Sequence, residues 1–192
     1  MTPSDPLTVL QESLRGAPVI WKGDYPYFIH PISDGIPRMD PDVLRATRDL
    51  IVSSVDWSQV DLIVSVEAMG LPLLAAVGDA TGKPTVVVRK RSYGMEGETR
   101  VDVATGYSQS TVYINDIKTG ERVVIVDDVI STGGTLEPLI QQLEDMGVIL
   151  QDIVIAIEKG EGRERLNREK PHWPIRSLAR IDIIDGKVEI VE

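Results

Sequence analysis

Residues 123–135 read VVIVDDVISTGGT, an apolar run that delivers two adjacent aspartates and then a loop of small residues. Ionised, Asp127 and Asp128 only accept hydrogen bonds, which suits vicinal hydroxyls or, through water, Mg2+. Ser131, Thr132, Gly133, Gly134 and Thr135 make the opposite kind of surface. Glycines let backbone N–H groups come close to an anion, hydroxyls add donors, and a helix begins just behind them. Such a loop cups one phosphate, so the whole stretch suits a sugar phosphate with a free diol. No lysine follows the glycines, which removes the loop type of nucleoside triphosphate hydrolysis. Asp-Asp and Thr-Gly-Gly are also ordinary turn and helix-entry residues, and it is their combination after a strand that carries the chemistry.

Two further loops leave strand ends. Glu67-Ala68-Met69-Gly70 follows DLIVSV, and its glycine lets the backbone bend so that N–H groups point at an anion. A plain turn with Glu67 as a capping acid is the simpler reading of the same residues. Arg89, Lys90 and Arg91 follow TVVV and open a loop containing Gly94 and Gly97. Three adjacent cations in a chain of net charge −10 mark a local site for a highly charged anion.

The elements that must position these loops are legible from patterning. Asp5 and Pro6 start a first helix with Leu7, Leu10 and Leu14 on one face, and Gly16 stops it. Residues 18–21 and 25–29 are short extended segments beside the turn-rich HPISDGIPRMDP. Asp40 and Pro41 open a second helix that runs to about Val55. A strand at 61–66, a helix ending at Gly82 and a strand at 85–89 follow, then a polar loop through about Tyr107. Strands at 111–115, 122–126 and 152–157 complete the set, with a helix over 134–146. Near-continuous apolar strands separated by helices predict an α/β fold, a mostly parallel sheet covered on both faces. ARIDIIDGKVEIVE alternates around Asp185-Gly186 and predicts a hairpin on a sheet edge or at a subunit contact.

Length and composition limit the alternatives. A chain of 192 residues with 42% hydrophobic content suits one domain with a real core. No apolar run approaches the length of a membrane span, and the N-terminus carries acids where a signal peptide would be basic, so a cytoplasmic protein is expected. The absence of cysteine removes disulfides, thiol catalysis and cysteine-ligated zinc, and two histidines are too few for a histidine-built metal site. The net negative charge argues against DNA or RNA as a partner. A salt-rich cytoplasm and an ordinary acidic cytosolic enzyme both account for it.

VVIVDDVISTGGT resembles the phosphoribosyl pyrophosphate signature of the type I phosphoribosyltransferases. The resemblance implies that Asp127 and Asp128 hold the ribose hydroxyls, that Ser131–Thr135 holds the 5′-phosphate, and that Mg2+ accompanies the substrate. Glu67, Ala68, Met69 and Gly70 are similar to that family's pyrophosphate loop, although its adenine branch commonly has Arg where this chain has Met69. Arg89, Lys90 and Arg91 with the following loop are similar to the basic edge and mobile loop of the same branch. Glu158-Lys159-Gly160-Glu161-Gly162 resembles its segment after the last core strand. Taken with YFIHPISDGIP and GYSQSTVYIN, the chain looks most like the archaeal hypoxanthine phosphoribosyltransferase subfamily.

This resemblance implies a single domain: an N-terminal hood over about 1–40, a core over about 41–160, and a C-terminal helix and hairpin over about 161–192. It implies purine salvage, with hypoxanthine and also guanine as acceptors and a homodimer as the working form. Adenine is the alternative acceptor, and a non-catalytic regulator that binds phosphoribosyl pyrophosphate is a further reading. Tyr27 and Phe28 are candidates to stack on the purine, with backbone groups near Glu158 and Gly162 at its edge; a hydrophobic plug is the equal alternative for the aromatic pair. Ser131 stands where hypoxanthine-guanine enzymes place an Asp and adenine enzymes a small neutral residue. The acid that adenine enzymes use elsewhere is not matched at Ala104-Thr105-Gly106-Tyr107, so the general base is unassigned.

Overall fold

The computed structural model describes residues 5–104 and 109–191. Helix α1 (Pro6–Leu14) is capped by Asp5, whose carboxylate accepts from the Thr8 N–H at 3.0 Å. Strands β1 (Val19–Lys22) and β2 (Tyr25–Phe28) pair as an antiparallel hairpin. The turn-rich stretch after it contains a one-turn helix, α2 (Pro31–Asp34), capped by the His30 side chain. His30 is buried beside Ser13, and burial pushes its imidazole down to about 4, so it is neutral at physiological pH. Helix α3 (Pro41–Ser54) starts at the Asp40 cap as patterned.

The central sheet has six strands in the order β10-β9-β8-β7-β3-β4. They are β3 (Leu62–Val66), β4 (Thr85–Val88), β7 (Arg122–Ile130), β8 (Ile149–Lys159), β9 (Ile175–Ile184) and β10 (Lys187–Val191). All neighbours run parallel except the edge pair β9–β10, the hairpin about Asp185-Gly186. Helix α4 (Gly70–Thr81) joins β3 to β4, α5 (Leu136–Asp145) joins β7 to β8, and α6 (Gly162–Glu169) joins β8 to β9. Alternate strand residues enter two separate cores, as a pleated sheet requires. Val123 and Ile125 pack with Leu139, Ile140 and Leu143 of α5, while Val124 and Val126 pack with Leu73 and Val77 of α4.

One expectation fails. The segment read as a loop reaching Tyr107 contains strand β5 (Thr99–Ala104), paired antiparallel with β6 (Gln109–Ile114) in a sheet of their own. Residues 111–115 therefore do not join the parallel sheet. Val101, Val103, Val112 and Ile114 are buried and alternate with polar neighbours, so one apolar face lays this flap onto the core around α5. A backbone bridge between Arg89 and Tyr113 links the flap to the strand end of β4.

The order of strands creates one switch point. From β3 the chain first builds outward to β4, then returns to place β7 on the other side of β3. Beyond Val64 and Ile125 the two strands no longer pair, and a crevice opens at their carboxyl ends. Ligands of open α/β sheets bind in such a crevice.

Candidate active site

A cleft of about 460 Å3 occupies that crevice. Its floor is β7, its back the loop 131–135, and its sides the loop 67–69, the flap and the β1–β2 hairpin. Asp127 and Asp128 lie within β7, so ladder bonds to β8 fix their backbone. Both open partly to the cleft, yet protein crowds them on the remaining sides. Burial pushes Asp127 up to about 6, against a smaller downward pull from Asp128 hydrogen bonds and the Lys90 charge. Burial, and then repulsion from Asp127, holds Asp128 well above the usual carboxylate range. The pair is thus short of positive charge in the unliganded protein and retains a proton near neutrality.

The glycines around this pair answer to packing. A Cβ on Gly70 would lie 1.9 Å from Ser65 Oγ and 2.7 Å from Asp127 Oδ1. The loop after β3 is therefore pressed against the first aspartate. A Cβ on Gly134 would lie 2.2 Å from the Ala104 carbonyl oxygen, and the Ala104 N–H in turn donates to the Gly134 carbonyl at 3.0 Å. Gly133 has φ +81° and abuts Leu166. The loop that reads as a phosphate cup is gripped by the flap on one side and by α6 on the other.

The other predicted residues separate into those that face the cleft and those that do not. Ala68, Met69 and Lys90 line it, and the Met69 side chain rests against Gly35 of the N-terminal segment. Glu67 also borders the cleft, but its carboxylate accepts from the Lys90 N–H at 2.9 Å and pairs with Arg89 at 2.6 Å. It crosslinks two strand ends instead of meeting an anion, which it would repel. Arg91 is exposed, hydrogen-bonded to Tyr93 Oη at 3.1 Å with its guanidinium 4.9 Å from that ring's centre. Of the three cations, Lys90 is the one that borders the cleft.

The three purine candidates are placed differently. Phe28 also lines the cleft, although it is only 4% exposed and packs with Leu10 and Ile32 in the core. The Glu158 side chain is fully buried and bonded to Arg163 at 2.5 Å and Ser177 at 2.6 Å, which leaves backbone groups as the part of that segment able to reach a purine edge. Tyr27 does line the cleft, with its hydroxyl on Asp34 at 2.5 Å.

Sequence reasoning missed Tyr25 and Lys159. Tyr25 Oη is 2.9 Å from Ser131 Oγ, a contact spanning 106 residues of sequence. Lys159 is 7% exposed, its Nζ lying 3.8 Å from the centre of the Tyr25 ring and 2.5 Å from the Pro26 carbonyl. The period-2 spacing of Tyr25 and Tyr27 was a usable signal. Nothing local marks Lys159, which looks like any lysine ending a strand. Residues 105–107, where an acid was sought, lie outside the described residues.

Two outcomes test this geometry. Because the folded carboxyl of Asp127 is raised, the unfolded chain loses its proton first, and stability falls as pH rises from about 3.8 to about 6. The Asp127→Asn variant escapes this. In thermal melts of unliganded protein it gains on the wild type across that interval and keeps the gain above it, whereas a pH-independent difference would contradict the assignment. Gly134 has an ordinary φ, so Gly134→Ala adds only the clash with Ala104. Denaturant unfolding is expected to show a loss of about 1–3 kcal/mol, and no loss would mean the flap yields freely.

The arrangement agrees with comparison to known proteins. The family described as phosphoribosyl transferase domain matches residues 38–177. The hypoxanthine/guanine phosphoribosyltransferase of Methanocaldococcus infernus is 50% identical over 181 residues, 94% of this chain and 98% of that protein. The protein of the same name from Ferroglobus placidus is 50% identical over 97% of this chain and 98% of its own length. Among solved structures, adenine phosphoribosyltransferase from Thermoanaerobacter pseudethanolicus superposes with TM-score 0.74 at 24% identity, over 91% of this chain and 99% of that one. At that identity the likeness concerns the fold alone. With its signature loop set on β7 at the switch point and this match across most of its length, the chain belongs to the phosphoribosyltransferase family.

Proposed function

We propose that the protein is a purine-salvage enzyme that transfers the 5-phosphoribosyl group from phosphoribosyl pyrophosphate to hypoxanthine, and also to guanine, releasing pyrophosphate. Lys159 is the observation that carries the choice of purine. An ammonium has three donors and no acceptor. At the cleft wall, held by Pro26 and the Tyr25 ring, it matches a 6-oxo group and has nothing to accept from a 6-amino group. The 50% identity to relatives named for hypoxanthine and guanine supports the same reading.

Asp127 and Asp128 take the ribose hydroxyls, Ser131–Thr135 the 5′-phosphate, and Lys90 with the backbone of Ala68 and Met69 the pyrophosphate. Tyr27 and Tyr25 flank the base. Among the described residues no group of three or more metal-ligating side chains is assembled. The pair Asp127–Asp128, crowded and short of positive charge, nonetheless suits a divalent ion whose other ligands come from substrate and water. Mg2+ held by Asp127 and Asp128 would supply neutralisation of the charge on pyrophosphate. The protein's own residues fix the ribose between diol clamp and phosphate loop, so that the purine nitrogen meets C1′ in line. Ser131 and Tyr25 offer hydroxyls rather than a carboxylate, so base catalysis contributes less than leaving-group stabilisation and positioning. The hood over about 1–40 supplies Tyr25 and Tyr27, the core over about 41–160 the donor site, and the remainder the backing for both. The working form is a cytoplasmic homodimer. No helix among the described residues is long and apolar enough to cross a membrane.

Turnover with Mg2+, phosphoribosyl pyrophosphate and each purine tests the proposal. Hypoxanthine and guanine are expected to react well above adenine, and turnover of adenine alone would overturn it. Lys159→Met removes one charged hydrogen bond of about 1.5–3 kcal/mol, so KM for hypoxanthine is expected to rise roughly tenfold to a hundredfold with little change for the phosphoribosyl donor. Asp127→Asn with Asp128→Asn is expected to weaken use of the donor far more than purine binding.

A further inference from the structure

Behind the loop 131–135 lies a buried ionic cluster that no step above uses. Glu158, next to last in β8, has no exposed surface and lies beside Ile130 in the register of β7. Its carboxylate accepts from Arg163 Nε at 2.5 Å and Ser177 Oγ at 2.6 Å, and Arg180 Nε stands 3.8 Å from its other oxygen. Arg180 in turn reaches Glu164 at 2.5 Å. Arg163 and Glu164 both belong to the first turn of α6, so two arms of the cluster converge on that turn. A buried carboxylate left with fewer partners is costly, which makes this attachment stiff.

The first turn of α6 is also the back wall of the loop. The Gly162 N–H donates to the Ser131 carbonyl at 2.9 Å. Gly162 packs so closely that a Cβ on it would lie 2.2 Å from the Ser131 carbonyl oxygen and 2.9 Å from the Gly133 nitrogen. One turn on, Arg165 donates to the Thr132 carbonyl at 3.2 Å. The backbone of Ser131–Gly133 therefore takes its position from α6, and α6 takes its position from Glu158.

We propose that Glu158 and Arg163 are positioning residues for the anion loop: they hold the first turn of α6 so that the loop is shaped for a phosphate monoester before any ligand arrives. Preorganisation of this kind lowers the cost of ordering the loop on binding. It acts on the phosphate end of the donor and leaves the purine end alone. The inference rests on the reading of Ser131–Thr135 as the 5′-phosphate site.

Arg163 is on the surface side of the cluster, so Arg163→Ala and Arg163→Lys are the primary variants, with Glu158→Gln as the buried counterpart. Calorimetry with ribose 5-phosphate and with phosphoribosyl pyrophosphate reads loop affinity, and steady-state kinetics separates the two substrates. Arg163→Ala is expected to weaken both phosphate ligands about tenfold, to raise KM for the donor alike, and to leave KM for hypoxanthine within about twofold. Arg163→Lys is expected to recover part of the loss. Equal affinities in wild type and both Arg163 variants, or a parallel loss for donor and purine, would overturn the proposal. A fall in melting temperature with unchanged ligand affinities would reduce the cluster to a structural role and overturn it equally. If the wild type binds neither phosphate ligand, the reading of the loop itself fails, an outcome distinct from the others.

Discussion

Two carboxylates on consecutive residues of one strand repel each other and resist burial, yet Asp127 and Asp128 sit on the floor of a crowded cleft. The sheet makes this possible because the ladder between β7 and β8 continues through both residues, while β3 has already ended on the other side. The backbone is fully committed and the side chains face a gap. Burial and mutual repulsion raise both carboxyls, so the empty protein meets the strain by keeping a proton on the pair. Stability given up at a ligand site in this way is common where a site is shaped for something absent.

Everything adjacent is arranged at close approach. Gly70 brings the loop after β3 against Asp127 and Ser65, Gly134 brings the flap against the anion loop, and Gly162 does the same for α6. Each is a point where a single methyl group would collide with an oxygen. The glycines of the signature therefore serve the protein's internal packing as much as any ligand. A purely local reading of Thr-Gly-Gly-Thr sees only the second role.

The opposite side of the cleft is built by different means. The β1–β2 hairpin supplies Tyr25 and Tyr27 from one face of a short strand, and Tyr25 reaches across to Ser131 and beneath Lys159. Neutral hydroxyls stand where a carboxylate would make a stronger base. The lysine is held by a backbone carbonyl and an aromatic face rather than by an acid, so its charge remains available to a carbonyl acceptor.

The parallel sheet, the strand that carries Asp127-Asp128, the glycine loop behind it and the C-terminal hairpin were legible because each depends on local pattern: β-branched runs, helix caps, glycines at fixed offsets. The flap strand at 99–104 was overlooked although Arg-Val-Asp-Val alternates, since its setting among glycines and charges favoured a loop reading. The burial of Phe28 and Glu158, the pairing of Glu67 with Arg89, and the meeting of Tyr25, Ser131 and Lys159 were not legible. These depend on which strand face meets the core and on contacts across 22 to 134 residues of chain. Local pattern determined the strand, its carboxylate pair and the glycine loop; only the packing of the β1–β2 hairpin, the flap and α6 around β7 decided which side chains share the cleft, because periodicity assigns a residue to a face but not to a neighbour.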